Sequence, residues 1–288
     1  MKITIAVGAL TFYPLTSALR MARVSQADGV ELLLSNALLR RGPDAVQELA
    51  HSIGIPILSI HAPLRWVRND LRRQIADARD TIAFAAGLPD APSVVLHHPA
   101  PEDADGAALQ FWLASVDEAR RPHARTGLRV SVENRPENHD GSARSPLDDP
   151  GALRSIVSEW GLDVTFDIAH AASRNVGIVK GLNAVFPRLI NVHISDARPG
   201  RACSGGLLNG LLRDHHLPGD GELPLPAVFD VLDRRGYLGL VTIEPSPYSL
   251  RAWLPPHAQR RMTAAVTSTR DLVTTASVRV RQSRPSLG

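Results

Sequence analysis

Short apolar runs alternate with amphipathic stretches along nearly the whole chain. The runs are rich in Val, Ile and Leu, as is typical of buried strands, whereas the stretches between them repeat apolar residues at helical spacing. The pattern predicts eight strands: Ile3–Val7, Gly29–Leu34, Ile55–His61, Ser93–His98, Leu128–Glu133, Val164–Asp167, Leu189–His193 and Leu240–Glu244.

The intervening stretches are predicted as helices, several with matching end signals. Pro43 and Pro150 stand where a first helical turn accepts proline, and Gly54 and Gly161 stand where helices end. The predicted helices are Leu15–Val24, Pro43–Ile53, Asn69–Ala86, Gly106–Arg125, Asp149–Trp160, Val176–Phe186, Leu225–Arg235 and Pro256–Thr275. Strict alternation of strand and helix predicts a parallel sheet, and eight such units favour a closed (β/α)8 TIM barrel, an α/β fold.

The length of the chain fits one such domain. A barrel of this kind takes ~250 residues, and the chain has 288. We therefore expect a single barrel domain over residues 1–279 and a polar, disordered tail over 280–288. The long loop from Ala197 to Pro224 is expected to serve function or to move.

Four of the apolar runs end in a charged or imidazole side chain. These residues are Glu133, Asp167, His193 and Glu244. Because the strands of a barrel are parallel, their carboxyl ends meet at one end of the molecule, where barrel enzymes carry their active sites. Three carboxylates that converge would repel one another without a cation, so the quartet predicts a divalent metal site. Mixed carboxylate and imidazole ligands favour Zn²⁺, Mn²⁺, Co²⁺ or Fe²⁺ over Ca²⁺.

Further polar residues follow the same strand ends. His61 ends the third strand, the pair His97-His98 ends the fourth, and His170 lies three residues after Asp167. Which of His97 and His98, and which of His215 and His216, faces the site is left open. Glu31, near the end of the second strand, either faces the pocket or forms a salt bridge across the barrel mouth.

Composition and charge limit the classes of function that fit the chain. The net charge is only +3 despite a pI near 9.5, and no long run of like charges indicates a surface for nucleic acid. A single cysteine, Cys203, excludes an internal disulfide. The first residues resemble a strand rather than a signal peptide, and no stretch approaches the ~20 apolar residues of a membrane span. We therefore expect a cytoplasmic protein.

Ordered motifs give the chain a family resemblance. It resembles the xylose isomerase-like TIM barrel superfamily, which includes sugar and sugar phosphate isomerases and epimerases and also endonuclease IV. The motifs are His61-Ala-Pro-Leu, His98-Pro, Val132-Glu133-Asn134, Phe166-Asp167-Ile-Ala-His170, Val192-His193-Ile-Ser-Asp196, His215-His216-Leu-Pro-Gly219 and Thr242-Ile-Glu244.

The resemblance implies a function and roles for the site residues. It implies one divalent ion, Mn²⁺, Zn²⁺, Co²⁺ or Mg²⁺, held by Glu133, Asp167, His193 and Glu244, with the two glutamates as acid and base on a small carbohydrate substrate. The reaction is then an isomerisation or epimerisation through an enediolate. The residues expected to bind substrate are His61, His98, His170, Arg198, His215 and Glu31.

Two alternative activities share these residues. An inosose-type dehydratase uses the same enolate chemistry and then expels a hydroxyl group. An endonuclease IV-like phosphodiesterase would need three zinc ions for cleavage at abasic DNA. Counted back from Gly219, Arg213 occupies the position of a zinc-binding aspartate, whereas counting Asp214-x-His216 restores the aspartate–histidine pair but shifts the glycine by one residue. The arginine favours one metal ion. The oligomeric state, monomer or homo-oligomer, stays open.

Overall fold

The structure, a computed structural model, describes most of the chain. The described residues are 1–64, 70–90, 92–99, 106–136, 145–174, 176–197 and 215–282.

Eight parallel strands close into a barrel in chain order, as the sequence predicts. Each strand pairs with the next one along the chain, and the last strand returns to pair with the first. The strands are β1 (Lys2–Ala6), β2 (Gly29–Leu33), β3 (Ile57–His61), β4 (Ser93–His97), β5 (Val130–Glu133), β6 (Asp163–Asp167), β7 (Leu189–Ile194) and β8 (Leu240–Ile243). Helices lie between the strands, which makes this a single (β/α)8 TIM barrel.

The helices of the described residues largely follow the predicted ranges. They are α1 (Leu15–Val24), α2 (Asn36–Arg41), α3 (Pro43–Ile53), α4 (Leu71–Ala86), α5 (Gly106–Arg120), α6 (Pro150–Glu159), α7 (Ile168–Ser173), α8 (Ile178–Val185), α9 (Leu225–Arg234), α10 (Pro247–Leu250) and α11 (Pro255–Gln282). None of them combines the length and the apolar character that a membrane-spanning helix requires.

Three short helices were not predicted, because each is too brief to show a periodic pattern. They are α2, α7 and α10, and each begins after a side-chain cap: Ser35, Asp167 and Ser246 accept hydrogen bonds from backbone N–H groups of the first turn. The last helix continues to Gln282, beyond its predicted end at Thr275, so the first residues of the predicted tail are helical. Residues 283–288 lie outside the described part of the chain.

Side chains alternate between two environments along the strands. Val132, Val164 and Val192 belong to the hydrophobic cluster formed with the helices. The positions that alternate with such apolar residues along the strands carry buried polar side chains: Thr4, Glu31, Ser59, Ser131, Thr165, Asn191 and Thr242. Several of these hydrogen-bond to one another across the strands, which identifies the barrel interior as polar. Four of these interior residues, Ser131, Thr165, Asn191 and Thr242, are each followed two positions later by a residue of the predicted site: Glu133, Asp167, His193 and Glu244.

Candidate metal centre

The quartet predicted from the strand ends converges at one point. One ligand atom from each of Glu133, Asp167, His193 and Glu244 lies within 4.8 Å of the other three. Each residue stands two positions after an interior polar residue of its own strand, so the two-residue period of a strand carries all four to the same face. Four strands from one half of the barrel thus form one cluster.

The four converging atoms also have no hydrogen-bond partners within the described part of the chain. Among the described residues, Glu133 Oε1, Asp167 Oδ2, His193 Nδ1 and Glu244 Oε2 are buried and have no hydrogen-bond partner. His193 Nδ1 lies 2.8 Å from Glu244 Oε2 and 3.4 Å from Glu133 Oε1 without hydrogen-bond geometry to either. A buried polar atom without a partner is costly, and four that face one another fit a shared cation. Three carboxylates and one imidazole suit a divalent ion such as Mn²⁺, Zn²⁺, Co²⁺ or Mg²⁺.

Backbone contacts fix the position of Asp167. Asn134 Oδ1 accepts a hydrogen bond from Asp167 N at 2.8 Å, and Asn134 Nδ2 donates to Asp167 O at 2.9 Å. Asp167 Oδ1 accepts from His170 N at 2.6 Å and caps α7. One carboxylate oxygen is therefore occupied by the helix, which leaves Oδ2 to face the cluster.

Glu133 is the centre of a ring of histidines. His61 Nε2 and His97 Nε2 lie 3.1 and 3.0 Å from Glu133 Oε2, and His170 Nδ1 lies 3.3 Å from Glu133 Oε1. The imidazoles of neighbouring members contact edge to face, from His61 through His97 and His170 to His215. The two predicted residues His61 and His170 are thus brought to the quartet.

The fourth strand contributes His97 instead of the predicted His98. Paired strands place His97 opposite Glu133, and His97 is in phase with the interior series. His98 follows it by one position, which turns its side chain away from that face. Its Nδ1 lies 3.0 Å from the carbonyl oxygen of Pro99, and none of its described hydrogen bonds or ion pairs joins the quartet. The adjacent His97 therefore takes the place predicted for His98.

The loop that follows β7 returns to the site at His215. His215 Nδ1 lies 3.2 Å from the carbonyl oxygen of Glu244, and its ring contacts His170. One ligand atom each of Asp167, His170 and His215 also lie within 4.8 Å of one another. His216 instead forms a backbone bridge with Asp196. This arrangement selects His215 as the site residue, and the predicted Arg198 lies outside the described residues.

Asp196 holds the end of this loop through hydrogen bonds to the backbone. Its carboxylate accepts hydrogen bonds from the backbone N–H groups of Ala197, Gly219 and Leu223. A Cβ on Gly221 would stand 2.3 Å from Asp196 Oδ1, so this close approach requires glycine. Both carboxylate oxygens of Asp196 thus accept hydrogen bonds from backbone N–H groups.

The charges of the cluster shift its pKa values strongly. Burial disfavours a charged imidazole at His193, but the charges of Glu31, Glu133 and Glu244 outweigh it and raise the pKa well above its usual range. Burial likewise opposes protonation of His61, yet the hydrogen bond and charge of Glu133 raise its pKa to about 9. Burial raises the pKa of Asp167. The cluster therefore attracts positive charge, which protons on the histidines or a divalent ion can supply.

Glu31 lies behind the quartet. Its Oε2 is 3.3 Å from His193 Nε2, the ring nitrogen opposite the one that faces the other ligands. The side chain is buried, and Ser59 and Asn191 also donate hydrogen bonds to Oε2. Glu31 therefore contacts His193, a member of the quartet, and its predicted contact with substrate stays a prediction.

The model of one protein family matches residues 19–267, which is most of the chain, and that family is described as the xylose isomerase-like TIM barrel. The chain belongs to the xylose isomerase-like TIM barrel family.

Two of the similar proteins match most of the chain, and a third matches less than half of it. An uncharacterized protein of Mycobacterium tuberculosis is 26% identical over 276 residues, which cover 87% of this chain and 91% of that protein. An inosose dehydratase of Lactiplantibacillus plantarum is 26% identical over 130 residues, 42% of this chain and 41% of the dehydratase. The crystal structure of a D-tagatose 3-epimerase-like protein has a TM-score of 0.69 and 20% identity, and the match covers 98% of this chain and 99% of that one. The structural match shows the shared fold.

Proposed function

We propose that the protein is a divalent-metal-dependent isomerase or epimerase that acts on a sugar, a keto-sugar or a sugar phosphate. The observation that carries this proposal is the convergence of four buried, unpartnered ligand atoms at the carboxyl end of the barrel. The structural similarity to a D-tagatose 3-epimerase-like protein supports a carbohydrate substrate for a site of this kind.

The reaction needs a base and an acid beside a carbonyl compound. A carboxylate removes the proton from the carbon next to the carbonyl group. The electron pair of that C–H bond forms a carbon–carbon double bond, and the π electrons of the carbonyl group move to its oxygen to give an enediolate. A second carboxyl group returns a proton to one of the two carbons. The product is the epimer if the same carbon is protonated on its other face, and the isomer if the proton enters at the neighbouring carbon.

Glu133 and Glu244 are the proposed base and acid. They come from β5 and from the residue after β8, and each offers one oxygen to the cluster. The Glu244 side chain is 19% exposed whereas that of Glu133 is 1% exposed, so Glu244 reaches solvent at the barrel mouth. The second oxygen of Glu133 is held by His61 and His97. We assign proton exchange with solvent to Glu244.

Asp167 and His193 complete the proposed ligand set with the two glutamates. A bound divalent ion acts as a Lewis acid that stabilises negative charge on substrate oxygens. Four histidines adjoin one another beside the quartet, and we propose that they bind hydroxyl or phosphate oxygens: His61, His97, His170 and His215. Arg198 is retained as a further proposed contact with substrate.

Deuterium exchange tests the proposal without knowledge of the product. Ketoses, ketose phosphates and inososes are incubated singly in D2O with the protein and Mn²⁺, Zn²⁺, Co²⁺ or Mg²⁺, and the mass of each recovered sugar is measured. We expect one added deuteron in at least one sugar, and no exchange when a chelator is present. A protein that binds metal but exchanges no member of the panel would contradict the proposal.

An inosose dehydratase is the second candidate, and the similarity to the protein of Lactiplantibacillus plantarum favours it over 42% of the chain. The first proton abstraction is the same, after which the enediolate expels a neighbouring hydroxyl group as water. The same incubation separates the two activities, because a dehydratase yields a product lighter than its substrate by the mass of water. An epimerase or isomerase conserves the composition apart from deuterium.

A phosphodiesterase is a third candidate from a different class. The observation in its favour is a second group beside the quartet, since one ligand atom each of Asp167, His170 and His215 lies within 4.8 Å of the other two, as a further ion would require. Elemental analysis of the purified protein decides this point. We expect about one divalent ion per chain, whereas two or three ions together with cleavage of abasic DNA would favour the phosphodiesterase.

A further inference from the structure

Glu31 is a buried carboxylate that the proposed reaction does not use. It lies on β2, only 1% of its surface is exposed, and its register partner is Ser59, two residues before the site residue His61. Glu31 therefore lies one step deeper in the barrel than the residues at the mouth. A charge at this depth needs partners.

Three side chains meet one oxygen of Glu31. Ser59 Oγ donates to Oε2 at 2.7 Å, Asn191 Nδ2 donates at 3.2 Å, and His193 Nε2 lies at 3.3 Å. Asn191 is held in turn, because its Oδ1 accepts a hydrogen bond from Thr242 Oγ1 at 2.8 Å. The carboxylate is thus fixed by side chains of β3 and β7 while it contacts the imidazole.

We propose that Glu31 is a positioning residue that holds the His193 imidazole with its Nδ1 lone pair towards the quartet and so sets the affinity of the site for a divalent ion. This inference rests on the metal dependence in the proposed function. It gives Glu31 a role that needs no contact with substrate.

The chemistry of imidazole supports this role. A neutral imidazole carries one proton on either Nδ1 or Nε2, and only the nitrogen without the proton can bind a metal. A carboxylate accepts hydrogen bonds and donates none, so the contact with Glu31 keeps the proton on Nε2. Nδ1 then offers its lone pair to the point where Glu133, Asp167 and Glu244 converge. Carboxylates behind metal-binding histidines commonly raise metal affinity by 10- to 100-fold, on the order of what we expect here.

Two substitutions of Glu31 distinguish its effect on the orientation of the His193 imidazole from the effect of its charge. Glu31→Gln keeps an oxygen that can accept from Nε2 and removes the charge, whereas Glu31→Leu removes both. We expect Zn²⁺ affinity, measured by competition with a chromophoric chelator, to fall by about 10-fold in Glu31→Gln and about 100-fold in Glu31→Leu. The visible spectrum of bound Co²⁺ should change in the leucine variant, since the geometry of a ligand changes.

Ser131→Ala is the matched control. Ser131 is also a buried interior residue two positions before a ligand, but its hydroxyl bonds Val94 O and Thr165 instead of a ligand. We expect this variant to bind Zn²⁺ with wild-type affinity. The melting temperature of each metal-free variant shows whether it is folded, and the glutamine variant keeps the test valid if Glu31→Leu does not fold.

The outcomes are distinct from those of the proposed function. Zn²⁺ affinity within two-fold of wild type in folded Glu31→Gln and Glu31→Leu would overturn the role of Glu31, whatever the sugar exchange assay shows. An equal loss in Ser131→Ala would also overturn it, because any interior change would then weaken the site. Metal binding that depends on Glu31 in a protein without sugar exchange would leave this inference standing and sink the proposed reaction.

Discussion

Strand β6 carries an aspartate at each end, and the two residues differ in their partners. Asp163 at the start is bound by Arg129, whose Nε and second terminal nitrogen contact the two carboxylate oxygens at 2.9 and 2.8 Å. Asp167 at the end has one oxygen in a helix cap and the other without a hydrogen bond among the described residues. Both are buried, yet only the first has a cationic side chain bound to both of its oxygens.

The same difference separates the two ends of the barrel. Asp28, just before β2, accepts a hydrogen bond from Ile3 N and pairs with Arg270. At the opposite end, Glu133, Asp167 and Glu244 face one another and His193. At the amino-terminal end Asp28 and Asp163 are each paired with an arginine, whereas at the carboxyl-terminal end the four quartet atoms have no hydrogen-bond partner among the described residues, which costs stability in the absence of a cation.

The largest effect is expected for the proposed acid and base. Glu133→Gln and Glu244→Gln should each lower the rate of deuterium exchange by about 1,000-fold, within the range of 10²–10⁴ for loss of acid–base catalysis. Asp163→Asn at the other end is the control and should keep the wild-type rate. The assay is mass spectrometry of a sugar that the wild-type protein exchanges. Full activity in either glutamine variant would contradict the assigned roles.

The next effect concerns metal binding. Asp167→Asn keeps a side chain that can cap α7 through its oxygen but removes one of three anionic ligands. We expect Zn²⁺ affinity to fall by roughly 100-fold, which corresponds to about 2.7 kcal/mol. Asp163→Asn should bind Zn²⁺ as the wild type does. Equal losses in the two variants would show that the ends of β6 do not differ in the way proposed.

The sequence predicted the barrel because its signals repeat. Eight apolar runs separated by amphipathic stretches allow few topologies, and all eight strands lie where those runs do. The quartet could be predicted for a related reason, since a charged residue that ends a buried strand must find a partner. Helices α2 and α7, of six residues each, gave no periodic signal and were missed.

Two features of the site could not be predicted because they depend on register. His97 and His98 are identical in type, and only the pairing of His97 with Glu133 shows which one faces inward. The role proposed for Glu31 depends on its pairing with Ser59 and on its distance to His193 Nε2, a contact between residues far apart in the sequence. A single sequence shows which residues are polar, but it does not show the register between strands that brings these residues together.

A smaller effect is expected on the stability of the metal-free protein. Burial raises the pKa of Asp167, which means that its ionised form is disfavoured in the folded state. Above its pKa in the unfolded chain, the ionised carboxylate therefore costs stability, and neutral asparagine removes that cost. We expect Asp167→Asn to raise the melting temperature by roughly 2–4 °C at pH 7 in the presence of a chelator, as about 1 kcal/mol would. A lower melting temperature would show that the quartet stabilises the fold without a metal.

The smallest effect is expected at the other end of β6. Asp163→Asn loses the charge that binds Arg129, whose side chain is 56% exposed and therefore screened by solvent. We expect a loss of about 1 kcal/mol or less in the free energy of unfolding, measured in urea, and a smaller loss at high salt. Arg129→Gln should cost more than Asp163→Asn, because it leaves the buried Asp163 carboxylate with only Arg188, 3.9 Å away. The double variant should resemble Asp163→Asn, since that carboxylate is then neutral. If Asp163→Asn stabilised the protein, the two ends of β6 would not differ. The charge of Asp163, although paired with arginine, would then lower the stability of the fold as the charge of Asp167 does.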